Sequence, residues 1–393
     1  MTNSKVLISG AGVAGPALAF WLRRAGWDVT VVERAPALRE GGYKVDVRGA
    51  GTTVLKRMGL HEAARERDTG MRQVTYVRRD GRKIASLPAD LLMGRRGDDL
   101  EIMRGDLSRI FHDATADVEY RFGDAIAALD DGADGVGVTF ESGRAERFAF
   151  VVAADGLNSS TRRAVFGEVP LRHLGAYISI FSVPNELGLD HEEVMYTEPG
   201  RLIFAYAMGP EKSGKVGLTF ASEPLSYDRR DVTAQKDLVR AAFAGRGWRS
   251  DDFLSAMDAA DDFYFDSLSQ VELPSWSSGR VVLLGDAAHC PSPSSGQGTS
   301  LALVGAYVLA DELAKADGDV TAAFAAYERV MRPYVEQNMT FGRKMAKDMV
   351  PASRLSIAFR NYGMRTLRFH PRKEQVIDRV LAPMYAAANA IAI

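Results

Sequence analysis

Cysteine is almost absent from this sequence. The single thiol, Cys290, excludes an intramolecular disulfide and any paired-cysteine metal knuckle. Histidine is scarce as well: six residues, none forming an HExxH pair, give no metal-binding pattern. No apolar run is long enough for a membrane span or a signal peptide, since Met1 to Lys5 is polar and leads straight into Val6-Leu7-Ile8. Neither sign of charge dominates: 49 basic and 51 acidic residues leave a net charge of −2, so no global field draws in nucleic acid. The expectation is a cytoplasmic protein, monomer or homodimer, without metal, integral membrane segment or nucleic-acid partner. Its 393 residues suffice for two or three domains.

What is present is an α/β pattern. Val6 to Ser9 reads as a short buried strand, and Ala14 to Ala25 as a helix whose Leu18, Trp21 and Leu22 recur at helical spacing. Asp28 to Glu33 is a second strand, followed by a Gly-rich loop, 40–51, and a helix near Thr52 to Met58. Val74 to Leu87 reads as strand with a turn at Asp80-Gly81, and Gly105 to Ala114 as helix. Strands at Val118 to Phe122, Val136 to Phe140 and Arg147 to Ala153 suggest a β-meander inserted into a parallel sheet. Ala176 to Val183, Glu193 to Thr197, Arg201 to Met208, Val216 to Ala221 and Asp262 to Val271 predict a second, mostly antiparallel sheet rich in aromatics. Val281 to Leu284 is apolar throughout, as a strand buried on both faces would be, and a long helix begins near Gly298. Beyond Asp319 the chain reads as helical, with a kink at Pro333 and an Ala-rich end. These patterns predict a discontinuous nucleotide-binding domain over 1–172 and 276–345, a substrate-binding β-sheet domain over 173–275, and a helical region over 346–393.

Three constellations carry chemistry. Gly10-Ala11-Gly12-Val13-Ala14-Gly15 follows the first strand and opens the first helix. It supplies the glycines for a tight turn, for approach of a pyrophosphate and for close helix packing. Glu33 ends the next strand 18 residues after Gly15, where its carboxylate can accept hydrogen bonds from a ribose. Asp155-Gly156 then ends an apolar strand and is followed by Ser159, Thr161 and Arg162, which a plain NAD dehydrogenase does not need. Gly285-Asp286-Ala287-Ala288-His289, with Pro291, Pro293 and Gly296-Gln297-Gly298, is the most specific signal. Asp286 at a strand end can bind a ribityl hydroxyl, and the helix start near Gly298 directs unpaired N–H groups at a flavin's N1–C2=O edge.

With these motifs in place the chain resembles the group A flavoprotein monooxygenases, the family of para-hydroxybenzoate hydroxylase and the tetracycline-inactivating monooxygenases, through roughly Ala316. The resemblance implies the para-hydroxybenzoate hydroxylase fold: a Rossmann-like FAD-binding domain with an inserted antiparallel substrate domain and C-terminal helices. It implies FAD contacts from Gly10, Gly12, Ala14, Gly15, Glu33, Arg34 and Arg104 on the ADP half, and from Gly285, Asp286, Pro293, Gly296 and Gly298 beside the flavin. Asp155, Gly156 and Arg162 match the family's second fingerprint, which serves FAD and the nicotinamide cofactor. The loop Gly41 to Arg48 resembles the segment beside the mobile flavin in the tetracycline-inactivating branch, making Asp46 a flavin contact and Arg39 an NADPH contact. In the bland alternative, Arg39 and Arg48 are solvated loop charges.

The implied chemistry is reduction of tightly held, non-covalent FAD by transient NAD(P)H, addition of O2 to give a flavin C4a-hydroperoxide, and oxygen transfer to a polycyclic or phenolic natural product. The flavin carries that chemistry, so no side chain is expected to be catalytic, and His289 and Cys290 read as packed residues. Tyr177, Phe181, Phe204, Tyr206 and Phe220 alternate on strands expected to roof the flavin, so they are the candidate substrate wall. The rivals are a flavin reductase of the same fold without oxygen transfer and a non-catalytic flavin-binding module. A flavin halogenase is disfavoured, because Trp21, Trp27, Trp248 and Trp276 make no W-x-W-x-I-P motif. The C-terminal excess of Arg354, Arg360, Arg365, Arg368, Arg372 and Lys373 reads as a solvated helix face rather than a membrane-facing one.

Overall fold

The computed structural model describes residues 4–38, 41–367 and 370–393. Its first unit is the anticipated β-α-β: β1 (Lys5–Ser9), α1 (Ala14–Arg24) and β2 (Asp28–Glu33). Then come β3 (Lys44–Val47), α2 (Ala50–Arg57), α3 (His61–Arg65), the hairpin β4 (Gln73–Val77) and β5 (Lys83–Pro88), α4 (Ala89–Met93), β6 (Leu100–Met103), α5 (Arg104–Asp113) and β7 (Glu119–Phe122). The meander is β8 (Ile126–Gly132), β9 (Gly135–Phe140) and β10 (Ala145–Phe148); β11 (Phe150–Ala153) and α6 (Ser160–Phe166) follow. The central region holds β12 (Arg172–Val183), β13 (Glu192–Glu198), β14 (Arg201–Ala207), β15 (Gly214–Ala221), α7 (Val232–Phe243), α8 (Ser250–Ala259) and β16 (Tyr264–Gln270). The chain ends in β17 (Ser277–Ser278), β18 (Val281–Leu283), α9 (Asp286–His289), a 3-10 turn at Pro293–Ser295, α10 (Gly298–Lys315), α11 (Val320–Met349), α12 (Arg354–Leu367) and α13 (Lys373–Ala388).

Two sheets organise these elements. The first has the order β17-β18-β11-β1-β2-β7, parallel except at its β17 edge. Helices cover one face and the meander the other. Val6 and Ile8 of β1 therefore point into one core, Leu7 into a second, and all three are fully buried. The second sheet has the order β16-β12-β15-β14-β13-β4-β5. β4 and β5 join it from within the first 172 residues, because Gln73 to Val77 lie parallel to Glu192 to Tyr196. No helix among the described residues is long and apolar enough to cross a membrane.

Several sequence expectations are corrected. The Gly-rich loop contains β3, which pairs with β6 through Lys44 to Val47 and forms a hinge-like ribbon between the sheets. The single strand expected at Arg147 to Ala153 is two strands, since the chain leaves the meander at Phe148 and enters the parallel sheet at Phe150. Helix α11 carries Pro333 inside it, so the helical reading beyond Asp319 holds across the position of the expected kink. Helices α7 and α8, absent from the sequence reading, cover the outer face of the second sheet with Val239, Phe243, Phe253, Leu254 and Met257.

Candidate functional site

The carboxyl ends of β1, β2 and β11 open onto a cavity of about 510 Å³ lined by Gly10, Gly12, Glu33, Arg34, Gly41, Gly42, Arg104, Asp155, Gly156 and, from the second sheet, Phe263 and Tyr264. Crevices at this end of an open α/β sheet are the usual ligand sites. A second cavity of about 570 Å³ lies on the opposite side of the seven-stranded sheet against α8 and touches none of the motif residues.

The three fingerprint glycines do different work. A Cβ on Gly15 would sit 2.0 Å from the carbonyl oxygen of Gly10, and one on Gly10 would sit 2.5 Å from that of Ala154, so both are demanded by the chain's own packing. A Cβ on Gly12 would meet only an Arg104 guanidinium nitrogen, at 3.5 Å. Gly12 is therefore bare toward space that protein does not fill, as an approaching pyrophosphate requires. Glu33 accepts from the backbone N–H groups of Ala11 and Ala35, each at 2.9 Å, which aims its carboxylate into the groove and leaves lone pairs for a ribose. Arg104 is fixed by its backbone N–H donating to Tyr43 O at 3.0 Å. Burial disfavours its charge, but Tyr43, Tyr264, Asp286 and Glu33 around it outweigh that and hold its pKa above the ordinary value. A permanent cation thus stands beside Gly12, where a diphosphate would lie.

A second polar cluster lies at the start of α10. Like most helices here, α1 and α10 begin without a side-chain cap, at Val13 and Gln297. Their first N–H groups are left for another acceptor. Gln297 is fully buried, and neither its side-chain oxygen nor its nitrogen has a partner. Asp46 lies beside the same turn, its Oδ2 3.7 Å from where a Gly296 Cβ would be, with Oδ1 also buried and unpartnered. Buried polar groups are almost always satisfied, so three orphaned atoms at one helix start mark a polar ligand edge. Asp286 stands across the start of α10, its Oδ1 3.6 Å from a Gly298 Cβ, and it is open to solvent. Crowding by protein raises its pKa, countered by Arg104 and by a hydrogen bond from Cys290. This donor and acceptor set fits the pyrimidine edge and ribityl chain of a flavin.

The remaining sequence candidates divide. Asp155 caps α6 from inside the turn, accepting from Thr161 N at 3.1 Å and Thr161 Oγ1 at 3.0 Å, while Gly156 takes φ 84°. Arg162 is buried and donates to Ala287 O at 2.9 Å and Leu157 O at 2.7 Å, so it ties the Asp155 turn to α9 and does not line the groove. Arg34 lines the groove and pairs with Glu141 at 3.0 Å on the surface. Ala14 and Gly285 pack against each other, a Gly285 Cβ lying 3.0 Å from that of Ala14. Pro293 begins the 3-10 turn, which Ser294 locks to α11 through Gly342 O at 3.0 Å. Arg39 lies outside the described residues. Arg48 is buried rather than solvated and pairs with Asp46 at 2.8 Å.

Tyr177, Phe181 and Phe220 are not brought to the groove. Alternation turns them to the outer face, into the core under α7 and α8. Phe204 and Tyr206 face inward, stacked at 6.4 Å and 10°. The Phe204 ring lies over Gly217, where a Cβ would meet it at 1.9 Å. Tyr206 is clamped by Lys44, whose N–H donates to its hydroxyl at 3.2 Å and whose ammonium lies 4.8 Å from its ring. Lys44 pairs with Glu193 at 2.5 Å and Glu101 at 3.2 Å. Burial works against that ammonium, but the two carboxylates prevail and keep it charged. His289 is buried against Trp276 and Tyr327, and burial pulls its pKa down to about 4, so it is neutral. Sequence reasoning named Gln297 only as part of its motif and gave no role to Tyr43, Tyr264 or Gly217. Gln297 had a readable signal, since glutamine is a poor N-cap.

The model of the FAD binding domain family matches residues 3–342. The chain is 41% identical over 340 residues to a flavin-dependent monooxygenase from an unknown prokaryotic organism, covering 86% of this chain and 88% of that protein. It belongs to the FAD-dependent monooxygenases. A flavin-dependent monooxygenase of Legionella longbeachae is 40% identical, with the same shares covered. The crystal structure of tetracycline destructase Tet(55) superposes with a TM-score of 0.86 at 38% identity, covering 100% of this chain and 98% of that one. As a family member the chain has the fold its motifs implied, with FAD as the cofactor the groove accommodates.

Proposed function

We propose that this FAD-dependent monooxygenase uses NAD(P)H to oxygenate a polycyclic, phenolic small molecule held between the flavin edge and the inner face of the seven-stranded sheet. The observation that carries this reading is the groove at the carboxyl ends of β1, β2 and β11, with Gly12 and Arg104 in its lining. Gly12 is bare at one end, and the orphaned Gln297 and Asp46 atoms stand at the uncapped start of α10. Phe204, half-buried, presents its ring on the inner face of the sheet, with the fully buried Tyr206 stacked against it. The likeness to a tetracycline destructase supports a fused-ring substrate.

Bound and reduced FAD supplies the activation of O2 and the transfer of one oxygen atom, the other leaving as water. The chain's own residues position and seal. Gly12 N–H and Arg104 would hold the diphosphate, Glu33 the adenosine ribose, and Asp286 the ribityl hydroxyls. The N-terminus of α10 would favour negative charge on the ring. Phe204 orients a flat substrate by stacking at about 0.5–1.5 kcal/mol beyond the area it buries. Asp155, Gly156 and the Arg162 tie shape the turn past which the nicotinamide would approach. A cytoplasmic location, where NAD(P)H is abundant, is part of the same proposal.

The test is oxygen and NAD(P)H consumption by FAD-loaded protein with and without tetracycline. Substrate should accelerate both in equal measure and yield a product one oxygen heavier. NAD(P)H oxidation without oxygen uptake would contradict the reading and leave a reductase.

A further inference from the structure

We infer that the exposed stripe of α12, flanked by the cations of α12 and α13, is a docking surface for an anionic lipid bilayer. Seven large hydrophobic side chains are exposed among the described residues, and five are on α12 and α13: Leu355 at 80%, Phe359 at 79%, Tyr362 at 68%, Val376 at 38% and Val380 at 71%. Leu355, Phe359 and Tyr362 fall at i, i+4 and i+7, one stripe of α12. Ile357, on the opposite side of that helix, is its buried anchor. The inner face is already occupied: Arg360 lies 5.4 Å over the Tyr76 ring, and Met364 packs on the cluster of Tyr76 and Tyr206. The stripe thus points away from the protein with none of the described residues over it, whereas a surface helix ordinarily turns charge to water.

Charge selects the occupant. Residues 354–379 hold seven basic residues and two acidic ones, net +5, on a chain whose total is −2. Arg354, Arg365, Arg372, Lys373 and Arg379 are exposed and form no ion pair among the described residues, while Asp378 is neutralised by Arg96. A second copy of this face would bring equal positive charge into contact, so self-association is opposed. An apolar stripe flanked by cations suits the headgroup boundary of an anionic membrane, where Phe and Leu enter and Arg stays with phosphate. Helix α12 would lie in the plane of the surface and span nothing.

The experiment is flotation of the full-length, FAD-loaded protein with vesicles of phosphatidylcholine alone or with about a third phosphatidylglycerol. Binding to the anionic vesicles should be at least ~10-fold stronger than to neutral ones at low salt and should fall as salt rises. The triple variant Leu355→Ser/Phe359→Ser/Tyr362→Ser should lose about tenfold in binding, and Arg354→Glu/Arg365→Glu a comparable factor, with flavin content and Tm unchanged. Equal flotation of wild type with both vesicles, none with either, or full binding by the triple variant would overturn the inference. So would a wild-type dimer that the triple variant abolishes without any vesicle binding, which would assign the face to a second copy.

Discussion

Gly12 and Gly15 belong to one motif, and the structure predicts that replacing them fails in opposite ways. At Gly15 an added methyl meets the Gly10 carbonyl at 2.0 Å, and backbone cannot yield as a flexible side chain can. Gly15→Ala should therefore destabilise the apoprotein by roughly 2–3 kcal/mol, the usual scale for overpacking. At Gly12 the same methyl meets only an Arg104 nitrogen at 3.5 Å, so Gly12→Ala should leave apoprotein stability within about 1 kcal/mol, and entropy of the unfolded chain favours the variant slightly. Its effect falls on the ligand. A bulkier Gly12→Val side chain occupies the path of the pyrophosphate and breaks charge-assisted N–H bonds worth about 1.5–3 kcal/mol each, so FAD affinity should fall about 10² to 10³-fold. Chemical denaturation of each apoprotein gives the first quantity, and flavin fluorescence titration gives the second. Gly12→Val protein that binds FAD within a few-fold of wild type, or Gly12→Ala protein as unstable as Gly15→Ala, would refute the division of roles.

Other outcomes follow from the same geometry. Asp286→Ala should weaken FAD by about 10- to 100-fold in the same titration, through loss of one ribityl bond to a charged acceptor. Gly217→Ala should tilt the Phe204 ring and raise the KM for a fused-ring substrate about tenfold, with flavin content and substrate-independent NAD(P)H oxidation unchanged; an unaltered KM would remove Phe204 from the substrate wall. Arg162→Met should lower stability by about 2–4 kcal/mol, read from urea midpoints, since it orphans Ala287 O and Leu157 O. His289, held near 4 when folded and titrating near 6.5 when unfolded, gives stability that is complete above pH 6.5 and lost as pH falls toward 4. Between pH 7 and pH 5 that loss is roughly 2 kcal/mol. His289→Asn should remove this part of the slope.

The local half of the site was legible because chain neighbours build it. The β1-α1-β2 unit, with Gly10, Gly12, Gly15 and Glu33, needs only a strand, a tight turn and a helix start, all short-range. The Asp286 segment was legible for the same reason. What failed were questions of which face and which partner. Period-2 spacing showed that Tyr177 and Phe204 each lie on one side of a strand, but only the pairing of β12, β15 and β14 sets Tyr177 under α7 and Phe204 on the opposite face. The placement of β4 beside β13 rests on contacts over 100 residues apart in sequence and leaves no local trace. Strand β3 was hidden by the glycines that flank it, Gly41, Gly42, Gly49 and Gly51. Helix α7, by contrast, had a readable cap in Asp231 and apolar residues at Val239 and Phe243.

The central claim is that this chain holds FAD in order to place oxygen on a small molecule. It is tested most directly by turning over the FAD-loaded protein with NAD(P)H and tetracycline under isotopically labelled O2 and weighing the product. Incorporation of one labelled atom per product molecule, lost in Gly12→Val, is the expected result. Unlabelled substrate recovered alongside stoichiometric hydrogen peroxide, across tetracycline and other fused-ring phenols, would contradict it.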